Sequence, residues 1–399
     1  MASTTSTLHV CTVSKLSLYR LIKASIACHI LPGGRLLSNC SRISDSNVAM
    51  AVKIFLTGAT GYIGGTALDY IVRAHPGYEY TVLVRDEFRA EPIAARYPSV
   101  RFAYGTLEDD AVLEKAAAAA DIVVHTADSS DHYAGAMAIA KGLKDGHTAK
   151  KPGYWIHTSG TSILTWYDAQ HERAGGAPLP EQKYHDIKDI ERLISLPDGA
   201  HHRDVDEIAL AANSDAVKVV ILCPPTIYGT GAGVVNTRSR QVPSLARVTL
   251  NKGFAPIIGE GKTEWDHVHS DDLGDLYVKL VDATQDPARR GNPEILGPHA
   301  YFFAENGSHS WAEVAHWIAD EASRQGYLPS PLTKLVSEKE VTLMEDGSVS
   351  WGRNSKGVAE RARKYLGWPP KGVPLKDTFR EVVAKEARDL GLKPKEKKG

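Results

Sequence analysis

The sequence predicts an α/β fold, a doubly wound parallel sheet joined to a smaller, mostly helical lobe. Three observations predict it. Short apolar strand segments alternate with helical segments from residue 52 to residue 222. A glycine-rich turn separates the first strand from the first helix. After residue 229 the alternation loosens into Gly-rich and helical stretches. Strands that alternate with helices pair in parallel and are covered on both faces, and ligands gather at their carboxyl ends.

Composition bounds the answer. With 399 residues, 43% of them hydrophobic, the chain can bury a sizeable core. The net charge of -1 disfavours a nucleic-acid binder, and the apolar runs are too short for a membrane span. Of the four cysteines, Cys11, Cys28 and Cys40 precede Met50, leaving only Cys223 in the folded part. That excludes an internal disulfide or a cysteine-rich zinc site there and fits a reducing compartment. Residues 1–50 form a leader, disordered or cleaved. Residues 1–44 are basic and hydroxyl-rich, without Asp or Glu, which leaves two readings: an extension upstream of a start at Met50 in a cytoplasmic protein, or a mitochondrial transit peptide.

The first element is a strand over Val52–Leu56. It runs into Thr57-Gly58-Ala59-Thr60-Gly61-Tyr62-Ile63-Gly64-Gly65 and a helix over Thr66–Ala74, closed by Pro76-Gly77. Strand, glycine turn and helix form the context of a Rossmann dinucleotide fingerprint: Gly58 for the tight turn, Gly61 for approach of the pyrophosphate, Gly64 for close packing of helix on strand. The helix N-terminus supplies free N–H groups to phosphate. The second strand, Tyr80–Val84, ends at Arg85, 21 residues after Gly64, where a site for NAD places an acid. A guanidinium there suits the 2′-phosphate of NADP, so NADP(H) is expected over NAD(H), with Asp86 keeping NAD open.

Strands over Val100–Tyr104, Asp121–Thr126, Tyr154–Thr158 and Val217–Leu222 continue the pattern. Helices are expected over Asp110–Ala120, Tyr133–Leu143 and His202–Asn213. Beyond the Gly-rich 229–240 stretch, helices are expected over Pro243–Lys252, Ala312–Gln325, Lys356–Leu366 and Leu375–Leu390, with Asp271 capping another after the strand that carries His267 and His269. Those two histidines have no third ligand at a supporting spacing, so no metal is expected. The domain reading is a cofactor-binding core over 51–235 and a substrate-binding lobe over 236–399, interleaved with the last core elements around 267–300.

The segments TGATGYIGG at 57–65, VVHTA at 123–127, IHTSGTS at 156–162, PPTIYGTG at 224–231 and HVHSDDL at 267–273 resemble the extended short-chain dehydrogenase/reductase superfamily, in its NAD(P)-dependent epimerase/dehydratase and NmrA-like branches. The resemblance implies cofactor contacts at Gly58, Thr60, Gly61, Tyr62, Ile63, Arg85, Thr106, Leu107 and Thr126. It also implies a catalytic Ser or Thr plus Tyr-x-x-x-Lys, here Ser159, Tyr184 and Lys188. The tyrosine exchanges a proton with the substrate oxygen, and the lysine one helical turn on lowers its pKa and holds the ribose. The spacing divides the evidence. Ser159 to Tyr184 is the family's gap, yet 35 residues and the break Leu196-Pro197-Asp198-Gly199 separate Lys188 from Cys223. Counting back from Cys223 puts the pair near Asp198 and His202, with Asp206 beyond. Sugar-nucleotide members carry Arg-x-x-Asn where this chain has Cys223-Pro224-Pro225-Thr226, although Arg238, Arg240, Arg247 and Lys252 follow.

Three functions follow as expectations. The first is an NADP(H)-dependent oxidoreductase acting on a small carbonyl or alcohol. The second is a nucleotide-sugar epimerase or dehydratase. The third is a non-catalytic NADP-binding regulator of the NmrA-like kind. The expected partners are a small-molecule substrate and, at most, a second copy of the chain, with no nucleic acid and no membrane.

Overall fold

A computed structural model describes residues 51–395, so the expected leader lies outside the described residues. The first half alternates strictly: β1 (Lys53–Thr57), α1 (Tyr62–Ala74), β2 (Glu79–Val84), α2 (Glu87–Arg96), β3 (Arg101–Tyr104), α3 (Asp110–Ala119), β4 (Ile122–His125), α4 (Tyr133–Gly146) and β5 (Gly153–Thr158). A broken stretch follows, with α5 (Trp166–Gln170), β6 (Lys183–His185) and α6 (Ile190–Leu193). Then α7 (Arg203–Ala211) leads into β7 (Val217–Cys223) and β8 (Thr226–Tyr228). The remainder comprises α8 (Gln241–Lys252), β9 (Ala255–Ile258), β10 (Glu264–His269), α9 (Ser270–Gln285), β11 (Tyr301–Phe303), β12 (Ser308–Ser310), α10 (Trp311–Arg324), β13 (Thr333–Val336), α11 (Glu338–Thr342), β14 (Lys356–Val358), α12 (Arg361–Leu366) and α13 (Phe379–Asp389).

Seven strands form one sheet in the order β3-β2-β1-β4-β5-β7-β11, every pair parallel. The central strands are mostly apolar and buried, with Lys218 on β7 half-buried, as a sheet covered on both faces requires. Strand order reverses between β1 and β4, and there the carboxyl ends open a crevice for ligand. A second apolar cluster joins α8, β9, α10 and α13 through Leu245, Val314, Ile318, Val383 and the indoles of Trp265, Trp311 and Trp351; it is the core of the smaller lobe. No helix among the described residues is long and apolar enough to cross a membrane.

Four local features depart from the sequence pattern. Helix α2 was not signalled, because Pro92 lies inside it and four charged residues interrupt its apolar ones; Asp86 starts it by accepting from the Arg89 N–H. The segment expected as one helix over Lys356–Leu366 opens instead as β14, which pairs in parallel with β6, and turns helical only at Arg361. A 3₁₀ turn over Leu375–Thr378 precedes α13. The cap of α9 is His269, whose Nδ1 accepts from the Asp271 N–H at 3.2 Å; the Asp271 side chain does not cap it.

Candidate functional site

Two cavities open at the carboxyl edge of the sheet, and the loop between β4 and α4 runs between them. The first, about 610 Å³, is lined by Gly58, Thr60, Gly61, Arg85, Thr106, Leu107 and Thr126, all expected from the sequence, together with Arg89, Asp128 and His132. Gly58 turns the chain with φ +82°, and Gly64 sits so close beneath it that a Cβ would fall 2.3 Å from the Gly58 carbonyl oxygen. Helix α1 starts at Gly61 with no side-chain cap and no acid in its first turn, so its N–H groups and positive dipole end face the groove. An apolar floor, an uncapped helix N-terminus and two arginines at the rim fit the phosphates of a dinucleotide.

Two of the expected cofactor residues point elsewhere. The Tyr62 hydroxyl donates to the Gly229 carbonyl oxygen at 2.8 Å, and Ile63 lines the second cavity. At the ribose end, Asp86 is engaged by its own helix: it accepts from the Arg89 N–H at 2.8 Å and lies 3.5 Å from the Arg89 guanidinium. Arg85 is exposed and forms no salt bridge among the described residues.

The second cavity, about 590 Å³, lies beyond the loop. Its lining comes from eight stretches of chain, among them Ser130 and Asp131, Ser159–Ser162, His201 and His202, Pro224 and Pro225, Arg240, Trp265 and Arg353. Ser159 is buried at its edge, and the Ser159 Oγ has no hydrogen-bond partner. Thr158 turns away, within 2.6 Å of the Tyr277 hydroxyl.

The Tyr184–Lys188 pair is not brought here. The expected single helix is absent: Tyr184 lies on β6, and Lys188 lies exposed in the turn after it. Tyr184 is 3% exposed, its hydroxyl accepts from Trp166 Nε1 at 3.1 Å, and it does not line the cavity. The physical reason is the pairing of β6 with β14, which draws this segment into the C-terminal part of the chain. Asp206 is also withdrawn, accepting from the Tyr301 hydroxyl inside the core.

His202, where the count back from Cys223 pointed, stands in the cavity instead. Its Nδ1 lies 2.6 Å from Asp131 Oδ1 and its Nε2 lies 2.5 Å from Ser162 Oγ. His202 holds the left-handed conformation, φ +70°, immediately before α7; strain of this kind at a non-glycine residue collects at functional positions. The His201 ring packs 3.7 Å from that of His202, and burial holds its pKa below the ordinary imidazole value. Hydrogen bonding to His202 holds the Asp131 carboxyl below its ordinary value, so it is an anion at neutral pH. Nothing in the spacing of Asp131, Ser162 and His202 announced the group; only the shortfall at Lys188 pointed to His202. Arg238, one of the two arginines that a sugar-nucleotide substrate would need on a phosphate, is taken by Glu386 at 2.6 Å, as is Arg247 at 2.8 Å, whereas Arg240 lines the cavity without an ion pair among the described residues.

The parallel sheet, its uncapped first helix and the paired cavities define an NAD(P)-binding α/β protein of the extended type. The chain belongs to the NAD-dependent epimerase/dehydratase family. The family model for NAD(P)H-binding matches residues 58–151, and that for the NAD dependent epimerase/dehydratase family matches residues 197–292. The protein named "Oxidase ucsJ" from Acremonium sp is 37% identical over 355 residues, 86% of this chain and 100% of that one. An uncharacterized protein of Schizosaccharomyces pombe is 30% identical over 58% of this chain and 71% of its own. Among solved structures, dTDP-glucose 4,6-dehydratase from Streptomyces venezuelae with NAD and TYD bound superposes with a TM-score of 0.60 at 15% identity, covering 85% of this chain and 97% of that one. UDP-glucuronic acid 4-epimerase from Bacillus cereus, in complex with a UDP-sugar analogue and NAD, gives 0.57 at 14% identity over 84% and 99%. At such identities the likeness is one of fold.

Proposed function

We propose that the protein is an NADP(H)-dependent oxidoreductase acting on a small carbonyl or alcohol substrate. The observation that carries this reading is the shared loop: Thr126–Asp128 and His132 line the dinucleotide groove, and Ser130 and Asp131 line the cavity beyond it. A dinucleotide held along the groove would reach the boundary of the second cavity, and the chemistry it would supply there is hydride transfer to or from a carbon. The chain's own residues bind and position. The first turn of α1 meets the pyrophosphate, Arg85 and Arg89 face the adenosine 2′-phosphate, and the cavity walls orient the substrate oxygen. The name of the Acremonium relative, an oxidase, is in keeping with redox chemistry.

A second reading rests on Arg240. An arginine without an ion pair in the cavity suits the diphosphate of a nucleotide sugar, the substrate class of the solved dehydratase and epimerase. Titration of protein fluorescence with NADPH and NADH, followed by a turnover screen, tests these readings. NADPH-dependent reduction of members of an aldehyde and ketone panel is the expected result. Tightly held NAD with conversion of a UDP- or dTDP-sugar transfers the assignment to the second reading. Binding of NADPH without turnover of either panel leaves the regulatory, non-catalytic one.

A further inference from the structure

We propose that Ser162, His202 and Asp131 form the proton relay of this site, in the role that the family resemblance assigns to a tyrosine and a lysine. The inference rests on the oxidoreductase reading and deepens it. Its basis is a continuous hydrogen-bond chain, with 2.5 Å from Ser162 Oγ to His202 Nε2 and 2.6 Å from His202 Nδ1 to Asp131 Oδ1, whose three members all line the substrate cavity. Each comes from a different element: Asp131 from the β4–α4 loop, Ser162 from the 3₁₀ turn after β5, and His202 from the start of α7. His202 is 8% exposed and held at a strained φ, so its ring has one orientation.

The geometry fixes the roles. Ionised Asp131 accepts from Nδ1–H, which leaves Nε2 of the neutral ring to accept from the Ser162 hydroxyl. In the oxidation direction the substrate O–H proton passes to Ser162 Oγ while the Ser162 proton passes to Nε2. The substrate carbon gives up its hydride, with both electrons, to NADP⁺, and the products are a carbonyl, NADPH and an imidazolium paired with Asp131. Reduction runs in reverse: the carbonyl carbon gains the hydride from NADPH, its oxygen takes the Ser162 proton, and Ser162 is reprotonated from Nε2. Ser162 is the group that touches substrate, and His202 and Asp131 act through it. The same three-group arrangement activates a serine in acyl transfer; here the adjoining dinucleotide groove directs it to proton transfer. Asp131, His201 and His202 also lie within 4.8 Å of one another in the manner of metal ligands, but the 2.6 Å contact is a hydrogen bond that a bound ion would have to open.

The test uses the full chain with the best substrate of the carbonyl panel. His202→Gln is expected to lower kcat by about 10²–10⁴-fold with the NADPH Kd unchanged, and imidazole added to His202→Ala to restore part of the loss. Asp131→Glu should retain more kcat than Asp131→Asn at equal KM, a split that general unfolding does not give. Independently of activity, ¹⁵N NMR of the cofactor-free protein above the imidazole titration should find the His202 proton on Nδ1. A proton on Nε2, or His202→Gln with wild-type kcat, overturns the relay alone. Turnover lost to a chelator and restored by Zn²⁺ overturns it in favour of a metal site. A wild type that binds NADPH and turns over no carbonyl sinks the oxidoreductase reading, and the relay with it.

Discussion

The two cavities are built in different ways. The dinucleotide groove comes from one stretch of chain, residues 58–132, in which consecutive βα turns converge at the sheet edge. The substrate cavity draws on residues from 63 to 353, and its two ends meet only after the whole sheet is assembled. The groove is shaped by backbone packed without side chains, as at Gly58 and Gly64. The cavity is shaped by buried polar side chains that tie distant segments together. The clearest of these is Asp168, which is fully buried and accepts from Arg173, Gln182 and both the backbone and side-chain nitrogens of Asn354, at 2.7–2.9 Å.

That contrast can be broken at either end. The largest effect is expected at Asp168→Ala, which removes the shared acceptor of a guanidinium, two side-chain amides and one backbone N–H; unfolding stability should fall by about 3–5 kcal/mol in a urea titration, the range for removing one partner of a buried ion pair. Substrate turnover should suffer more than the NADPH Kd, since the anchor serves only the cavity. Next comes a pair of glycines. Gly64→Ala drives a methyl into the Gly58 carbonyl and should cost about 1–3 kcal/mol of stability along with cofactor affinity. Gly61→Ala meets only the Gly58 oxygen at 3.1 Å, so it should keep most of the stability and lose NADPH binding. Equal stability losses for the two would show that Gly61 serves packing rather than phosphate.

Arg85→Ala should weaken NADPH by about tenfold or more, the loss of a charge-assisted bond of roughly 1.5–3 kcal/mol, and leave NADH nearly unchanged. With Asp86 engaged at the start of α2, Arg89→Ala should act in the same direction and more weakly; identical losses for both cofactors would detach these arginines from the 2′-phosphate. The smallest effect is expected at Tyr184→Phe, which removes the acceptor for Trp166 Nε1. A stability loss of about 0.5–1.5 kcal/mol with kcat within twofold of wild type is the outcome consistent with its place on β6. A hundredfold fall in kcat at unchanged stability would return the tyrosine to the chemistry.

The same contrast explains what could be read in the chain before its fold was seen. The groove was legible because its determinants are local: glycine spacing, an uncapped helix start and the residue at the end of the second strand all lie within one βαβ unit. The side chains of Tyr62 and Ile63 could not be aimed from the motif, which gives sequence position and not the direction of a side chain; α1 turns both side chains away from the groove and leaves their backbone at its uncapped start. The parallel pairing of the main sheet was legible from alternation alone, whereas the β6–β14 pairing was not, since two three-residue strands 170 residues apart leave no periodic trace. Tyr184-x-x-x-Lys188 was persuasive because it had the right letters at the right interval on the upstream side. The long interval downstream was the physical signal that another residue occupies the place, and His202 is where that count arrives.

The parallel pairing of β6 with β14, together with the hold of Asp168 on Asn354, also orders events during synthesis. Residues 51–223 can assemble six of the seven sheet strands and the dinucleotide groove while the chain is still emerging from the ribosome. Arg353, Asn354 and the β14 strand arrive about 130 residues later, and until then the substrate cavity lacks one wall and Asp168 its main donors. A nascent chain of this design is ready for its nucleotide well before it can admit a substrate, so an incomplete translation product would sequester cofactor without consuming it.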